Sequence, residues 1–403
     1  MKKQLYKSYI FLVAFFYKPF WAILKYFFSK RQMTKKVLVF ADGTFDSNAM
    51  MVLPVANEIS LNNLEVWFGF EYGNAKTQHI LEDLSPAIKY FSLKKSILIR
   101  FFSFYQTNRI KRIMGFLIYP IKILQLLTLS RPNFVLVAND IMIPSKTLVL
   151  LANFLKIPNL SLQHGALCAP FFPITVEKMG VYSDDVKEFI IKNKWAEEEK
   201  LIVVGNPKWD YIHKFAQCNN VEKKLNNILI LSQVPGYLID FNNPDMNIER
   251  IFGLVKQLSN TFPECTIRIR THPLEDGCLW REKIDFIKYQ NVEMCNAAES
   301  LLELLQKTDI CISGATTAFY EASLLGVKCI AFRPSHSTVA VPNITEMDPF
   351  LFVCKTEIAV LEYIKAFYSN STRHNEDNES HPVAYFGHSA KFIAGYIQVA
   401  INV

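Results

Sequence analysis

CTIRIRTHP at residues 265–273 and DICISGATTAFYEASLLGVKCIAFR at residues 309–333 decide how this chain is read. In the first, Thr266, Ile267, Arg268, Ile269 and Arg270 alternate in polarity and include β-branched side chains, the pattern of a strand with one buried face. Pro273 lacks the N–H that a ladder needs, so the strand stops with His272 at its carboxyl end. In the second, Asp309 to Ile312 run into Ser313-Gly314-Ala315-Thr316-Thr317, and an apolar segment of helical period follows from Ala318 to Leu325. Lys328 to Phe332 reads as the next buried strand. Two strand–loop–helix units therefore carry, at their strands' carboxyl ends, an imidazole, a set of hydroxyls and the N–H groups of a helix start, all of which suit a phosphate. Thr317 and Glu321 lie four apart on one helix face, which puts a carboxylate one turn below, within reach of a ribose.

The same alternation of strands and helices runs through most of the 403 residues, of which 50% are hydrophobic, enough for two cores. The fold class expected is α/β, with two Rossmann-like domains of parallel sheet facing a central cleft and an N-terminal amphipathic or hydrophobic helix in front. The boundaries expected are a membrane-associating helix over 1–35, a first domain over 36–213, a second over 227–386 and a closing helix over 387–403, with a polar junction at Lys214 to Asn226. In the first half, Lys36 to Phe40 reads as a strand followed by the turn Ala41-Asp42-Gly43-Thr44, without the glycine-rich dinucleotide fingerprint. Asn159 to Leu162 is a strand that delivers Gln163-His164-Gly165, so His164 occupies the topological place in this half that His272 occupies in the other.

Charge is unevenly distributed. Residues 1–41 hold nine Lys or Arg and no acid, residues 84–139 hold another nine and again no acid, and the remainder of the chain carries a net −11. These cations sit among Phe, Tyr, Trp, Leu and Ile, whereas a duplex-binding surface places them among polar residues. An anionic membrane surface is thus the expected partner, and nucleic acid is not. Tyr9 to Phe28 is apolar and aromatic but interrupted by Lys18, Pro19 and Lys25, and reads as an in-plane anchor. The block 86–130 reads as helical, with aromatic residues and snorkelling cations available to lipid headgroups. The expected location is the cytoplasmic face of the inner membrane. Eight cysteines show no C-x-x-C spacing and eight histidines no H-x-x-x-H pair, so neither a disulfide framework nor a structural metal site is expected.

The His-Pro after a strand, the hydroxyl-rich turn before a glutamate-bearing helix and the histidine-glycine of the first half resemble the two-domain GT-B glycosyltransferases of bacterial surface polysaccharide synthesis. The nearest likeness is to the group of Kdo, sialyl and CDP-glycerol transferases with a His-Pro motif. That resemblance covers residues 36–400 and implies donor binding by His272, Pro273, Ser313, Gly314, Thr316, Thr317 and Glu321. The family's double serine stands here as Thr316-Thr317. Its acidic-acidic-glycine motif is matched only by Ala41-Asp42-Gly43, so Asp42 and His164 are both candidates for the base, with His272 assisting at the departing phosphate. The function so implied is transfer of a sugar, CMP-linked by preference, to a lipid-linked or polysaccharide acceptor of capsule, O-antigen or lipopolysaccharide, with no metal and no cofactor. UDP-N-acetylglucosamine 2-epimerases share the architecture and a related Ser-Gly turn with a glutamate helix. The basic, membrane-directed block favours a transferase over them. The remaining alternatives are a CDP-glycerol-type glycerophosphotransferase and a catalytically silent GT-B-like membrane scaffold.

Overall fold

A computed structural model describes residues 34–41, 46–71, 84–93, 120–141, 143–163, 165, 172–216, 225–232, 244–272, 275, 277–296, 299–314, 316–333, 351–369 and 383–402. The expected N-terminal helix, most of the 86–130 block, Asp42, His164 and Pro273 lie outside these residues.

The chain divides into two compact units, Met1–His164 with Pro170–Asp210 and Ala384–Val403, and Gly165–Ala169 with Tyr211–Val383. The first is built on seven parallel strands, β1 (Lys36–Ala41), β2 (Glu65–Glu71), β3 (Lys89–Leu93), β4 (Phe134–Val137), β5 (Asn159–Leu162), β6 (Lys178–Val181) and β7 (Leu201–Val203), in the order 3-2-1-4-5-6-7. β1 and β4, at the centre of the sheet, are apolar nearly throughout because helices cover both of its faces there. Helices α1 (Asp46–Leu61), α2 (Ile143–Leu155) and α3 (Asp184–Lys192) supply crossovers. The block 86–130 is not wholly helical as expected: Lys89–Leu93 pairs with β2 as the sheet's edge strand, and helical residues are described only over 120–130.

The second unit holds six parallel strands, β8 (Asn227–Leu231), β9 (Thr266–Arg270), β10 (Val292–Met294), β11 (Ile310–Ser313), β12 (Lys328–Phe332) and β13 (Leu351–Cys354), in the order 10-9-8-11-12-13. Its helices are α4 (Pro244–Thr261), α5 (Cys278–Lys283), α6 (Leu301–Gln306), α7 (Ala318–Leu324) and α8 (Glu357–Ser369). In β9 the alternation read from the sequence is realised: Ile267 and Ile269 are buried in the core with Phe252, Val255 and Leu258 of α4, while Arg268 and Arg270 face the other way. Arg268 pairs with Glu293 at 2.7 Å, and Arg270 donates to the Glu299 carbonyl at 2.8 Å. The closing helix, α9 (Ser389–Asn402), returns to the first unit and packs with α1 against β1, β2 and β4.

Both strand orders reverse direction once, between β1 and β4 and between β8 and β11. At such a reversal the flanking crossovers leave on opposite faces, and a crevice opens outside the strands' carboxyl ends.

Arg250 of α4 grips Glu357 at the start of α8 through Nε at 2.9 Å and Nη2 at 2.7 Å, and this pairing holds the Glu357 carboxyl below its ordinary range. Arg250→Met is expected to cost about 1 kcal/mol at pH 7 in urea melts. Since the folded-state pKa lies below the ordinary 4.5, that contribution is complete above pH 4.5 and fades as pH falls through the lowered value. Melts at pH 3 should show a smaller difference between the two chains.

Candidate functional site

The reversal in the second sheet lies between β8 and β11, and a side chain ties its two strands together. Ser313, only 5% exposed at the end of β11, donates its hydroxyl proton to the Leu231 carbonyl at the end of β8, at 2.9 Å. That proton is therefore committed to the scaffold. Beyond Ser313 the chain turns at Gly314 and reaches Thr316, whose Oγ1 accepts from the Ala318 N–H at 3.2 Å and caps the start of α7. Thr316 is thus engaged as an acceptor, with its own O–H left to donate. Thr317 follows as the residue before α7, without a side-chain cap bond.

Arg333 was not singled out from the sequence. It follows β12 directly, and its Nε donates to the Gly314 carbonyl at 3.2 Å, which places a guanidinium beside the Ser313–Thr317 loop. A cation that immediately follows the buried run Cys329 to Phe332 is the signal that marks it.

On the other side of β8, β9 ends before His272, which is exposed. The loop behind His272 is pinned by Glu275. Its Oε2 accepts from the Ser232 hydroxyl at 2.6 Å and from the His272 N–H at 3.4 Å, and its own N–H donates to the His272 carbonyl at 2.8 Å. Ser232, just after β8, also accepts from Trp280 Nε1 at 2.9 Å and donates its N–H to the Arg270 carbonyl at 2.9 Å. Ser232 and Glu275 were likewise missed, since their contact spans 43 residues of sequence. Because all six strands are parallel, His272, Ser232, Ser313 and the Gly314–Thr317 loop share one edge of the sheet. One strand, β8, separates the imidazole's strand from that of the hydroxyls, a spacing of roughly 10 Å between backbones.

Glu321 is 7% exposed on α7. Burial and the Glu321 charge together push the Tyr211 phenol up to about 12. Gly165, the glycine of the first-half histidine-glycine pair, belongs to this second unit and stands at φ +70°, and a Cβ built on it would lie 3.6 Å from Thr317 Cγ2. The glycine therefore lets backbone approach the threonine loop where a side chain would be strained. Among the described residues, no group of three or more His, Cys, Asp or Glu side chains is gathered to hold a metal.

No protein-family model and no curated protein matches the sequence. Solved structures do match its fold. The UDP-GlcNAc 2-epimerase of Methanocaldococcus jannaschii is similar with a TM-score of 0.62 at 15% identity, over 90% of this chain and 99% of that one. The UDP-GlcNAc 2-epimerase of Neisseria meningitidis, bound to UDP-GlcNAc, is similar with a TM-score of 0.60 at 15% identity, over 90% of this chain and 100% of that one. HepE of Anabaena, in complex with UDP, is similar with a TM-score of 0.52 at 12% identity, over 92% of this chain and 97% of that one. The architecture is of the GT-B type.

This corrects the expected function. A CMP-donor transferase for capsule, O-antigen or lipopolysaccharide was read from the His-Pro and hydroxyl motifs, but five solved structures of UDP-GlcNAc 2-epimerases, two of them of the Methanocaldococcus jannaschii enzyme, match at TM-scores from 0.59 to 0.63, ahead of two glycosyltransferases at 0.54 and 0.57. The physical reason lies in what those motifs do. Groups of their kind suit a phosphate, and a phosphate is common to CMP-linked and UDP-linked sugars alike.

Proposed function

We propose that this chain binds a UDP-sugar at the carboxyl edge of its second sheet and acts at the bond between the diphosphate and the sugar, with UDP-N-acetylglucosamine 2-epimerisation as its activity. The observation that carries the reading is the likeness, along nearly the whole of both chains, to UDP-GlcNAc 2-epimerases, one of them bound to UDP-GlcNAc. The geometry supports it in two ways. His272 and the Ser313–Thr317 loop flank β8, a span that a diphosphate with its attached sugar covers better than one phosphate does. Arg333 beside Gly314 adds a cation where the diphosphate's charge would lie.

In this reading Thr316, Thr317 and the N–H groups of their loop hold the phosphate oxygens, and Glu321 receives the ribose. Ser313 sets the loop's position through its bond to Leu231. His272, held in place by the Glu275 contact to its backbone, stabilises the charge that grows on the diphosphate as its bond to the sugar lengthens. Asp42 and His164 remain the candidates for taking the C2 proton as the C1–O bond to UDP breaks and for returning a proton to the opposite face as UDP adds back at C1. This leaves the C2 epimer with no net change of oxidation state.

The test is to incubate the purified chain with UDP-GlcNAc and follow the anomeric protons by NMR. The expected result is a second UDP-N-acetylhexosamine growing to an equilibrium with the first. Release of UDP alone, or an unchanged spectrum, contradicts epimerisation. Arg333→Met is expected to raise the Kd for UDP roughly tenfold in a calorimetric titration, the scale of one charge-assisted contact, and to leave the melting temperature close to that of the unsubstituted chain.

A further inference from the structure

The edge of the first sheet opposite its carboxyl ends has a composition that the proposed reaction does not use. Three helices end there, because each runs back antiparallel to the strand it precedes: α1 ends at Leu61 before β2, the helical residues 120–130 end before β4, and α2 ends at Leu155 before β5. Each of these ends exposes a large apolar side chain, Leu61 at 74%, Leu129 at 50% and Phe154 at 45%. Cations stand beside them at the same edge: Lys35 before β1, Arg131 after the 120–130 helix and Lys156 after α2. Lys35 also donates to the Ile401 carbonyl at 3.4 Å, so the end of α9 lies at this edge too, with Val399 64% exposed.

A half-buried acid of this edge, Glu65, is already paired with two further cations. Glu65, at the start of β2, is engaged by Lys89 at 2.8 Å and Lys36 at 3.6 Å, and burial raises its carboxyl less than those partners and Trp67 lower it. The other acids of this edge are Glu58 in the last turn of α1, the exposed Glu177 before β6, and Glu197 to Glu199 before β7, the last three at the far side of the sheet from β1 and β2. Covalent continuity adds to the pattern. Residues 1–33, basic and aromatic, lead into β1 at this edge, where Lys89 and Arg131 of the acid-free window 84–139 also lie.

We infer that the amino-terminal edge of the first sheet is a docking surface for an anionic lipid bilayer. Exposed apolar side chains inserted among headgroups, ringed by cations, are the combination that gives interfacial binding its dependence on both buried area and lipid charge. An acidic protein partner would be met by the cations alone and gives no role to three separate apolar tips. No helix among the described residues is long and apolar enough to cross a membrane.

The experiment is flotation of the full chain with vesicles of phosphatidylcholine containing about a third phosphatidylglycerol, and with pure phosphatidylcholine. The unsubstituted chain should float with the anionic vesicles at least tenfold more strongly than with the neutral ones, and raising the salt should weaken it. The triple variant Leu61→Ser, Leu129→Ser, Phe154→Ser should lose about tenfold in partitioning to anionic vesicles, while Ile287→Ser, at an 88% exposed site of the second unit, should lose nothing. Thermal melts of each chain separate lost docking from lost folding, and charge reversal at Lys156 and Arg131 gives a second route should the triple variant not fold. Partitioning that ignores lipid charge, or that survives both sets of substitutions in folded protein, overturns the inference. Turnover of UDP-GlcNAc in detergent-free buffer is read separately and is independent of either outcome.

Discussion

His272→Ala is expected to reduce turnover of UDP-GlcNAc by roughly 10²- to 10³-fold, the cost of removing one preorganised donor from a developing anion. The fold should survive, because the His272 side chain is exposed and the loop is held by backbone and Glu275 contacts that alanine retains. Steady-state kinetics should show the loss in kcat with UDP affinity changed far less, since the imidazole acts on charge that appears only as the bond breaks. His272→Gln, which restores a neutral donor, should recover part of it. A drop in UDP affinity equal to the drop in kcat/KM would instead make His272 a binding group.

The largest effect on stability is expected at Gly205. It follows β7 at φ +72°, and a Cβ built there would overlap the Ala384 carbonyl oxygen and Ser389 Oγ. These atoms cannot move freely. Ser389 opens α9, its Oγ donates to the Tyr385 carbonyl at 3.1 Å, and Asp210 holds the Ser389 and Ala390 N–H groups at 3.0 and 2.8 Å. Burial raises the Asp210 carboxyl, against the pull of those donors, so this junction already carries a desolvated acid. Gly205→Ala therefore combines left-handed strain with a clash against backbone and is expected to cost about 3 kcal/mol or more. Denaturant melts should show it, with α9 and the α1 face it covers released together.

Where the determinants were local, the sequence was readable. β5, β9 and β12 span the residues that alternation and apolar runs mark, because a strand with one or two buried faces announces itself within a few residues. β3 was missed inside the basic, aromatic block: it is an edge strand whose Tyr90 is 64% exposed, so no apolar run marks it. β10 and β13, the two edge strands of the second sheet, were missed as well, and in β13 Phe352 and Val353 are both exposed. The return of α9 to the first unit depends on Asp210 meeting residues about 180 positions away, a pairing that no local pattern contains.

The candidate site divides along the same line. That His272, Ser313, Thr316 and Thr317 share an edge followed from their places at strand ends, and parallel pairing puts them there. What each does could not be read. Ser313 is bound to a carbonyl 82 residues earlier, Thr316 is a helix cap and Arg333 gains its place through Gly314. The choice of nucleotide was misread because phosphate-holding groups are blind to the base.

A crystal structure with UDP bound measures the central claim most directly. The account predicts the diphosphate at the carboxyl edge of the second sheet, its oxygens within about 3 Å of the Gly314–Thr317 loop and of the Arg333 guanidinium, with the ribose against Glu321. UDP seated at the carboxyl edge of the first sheet, or no bound nucleotide at millimolar UDP, would contradict it.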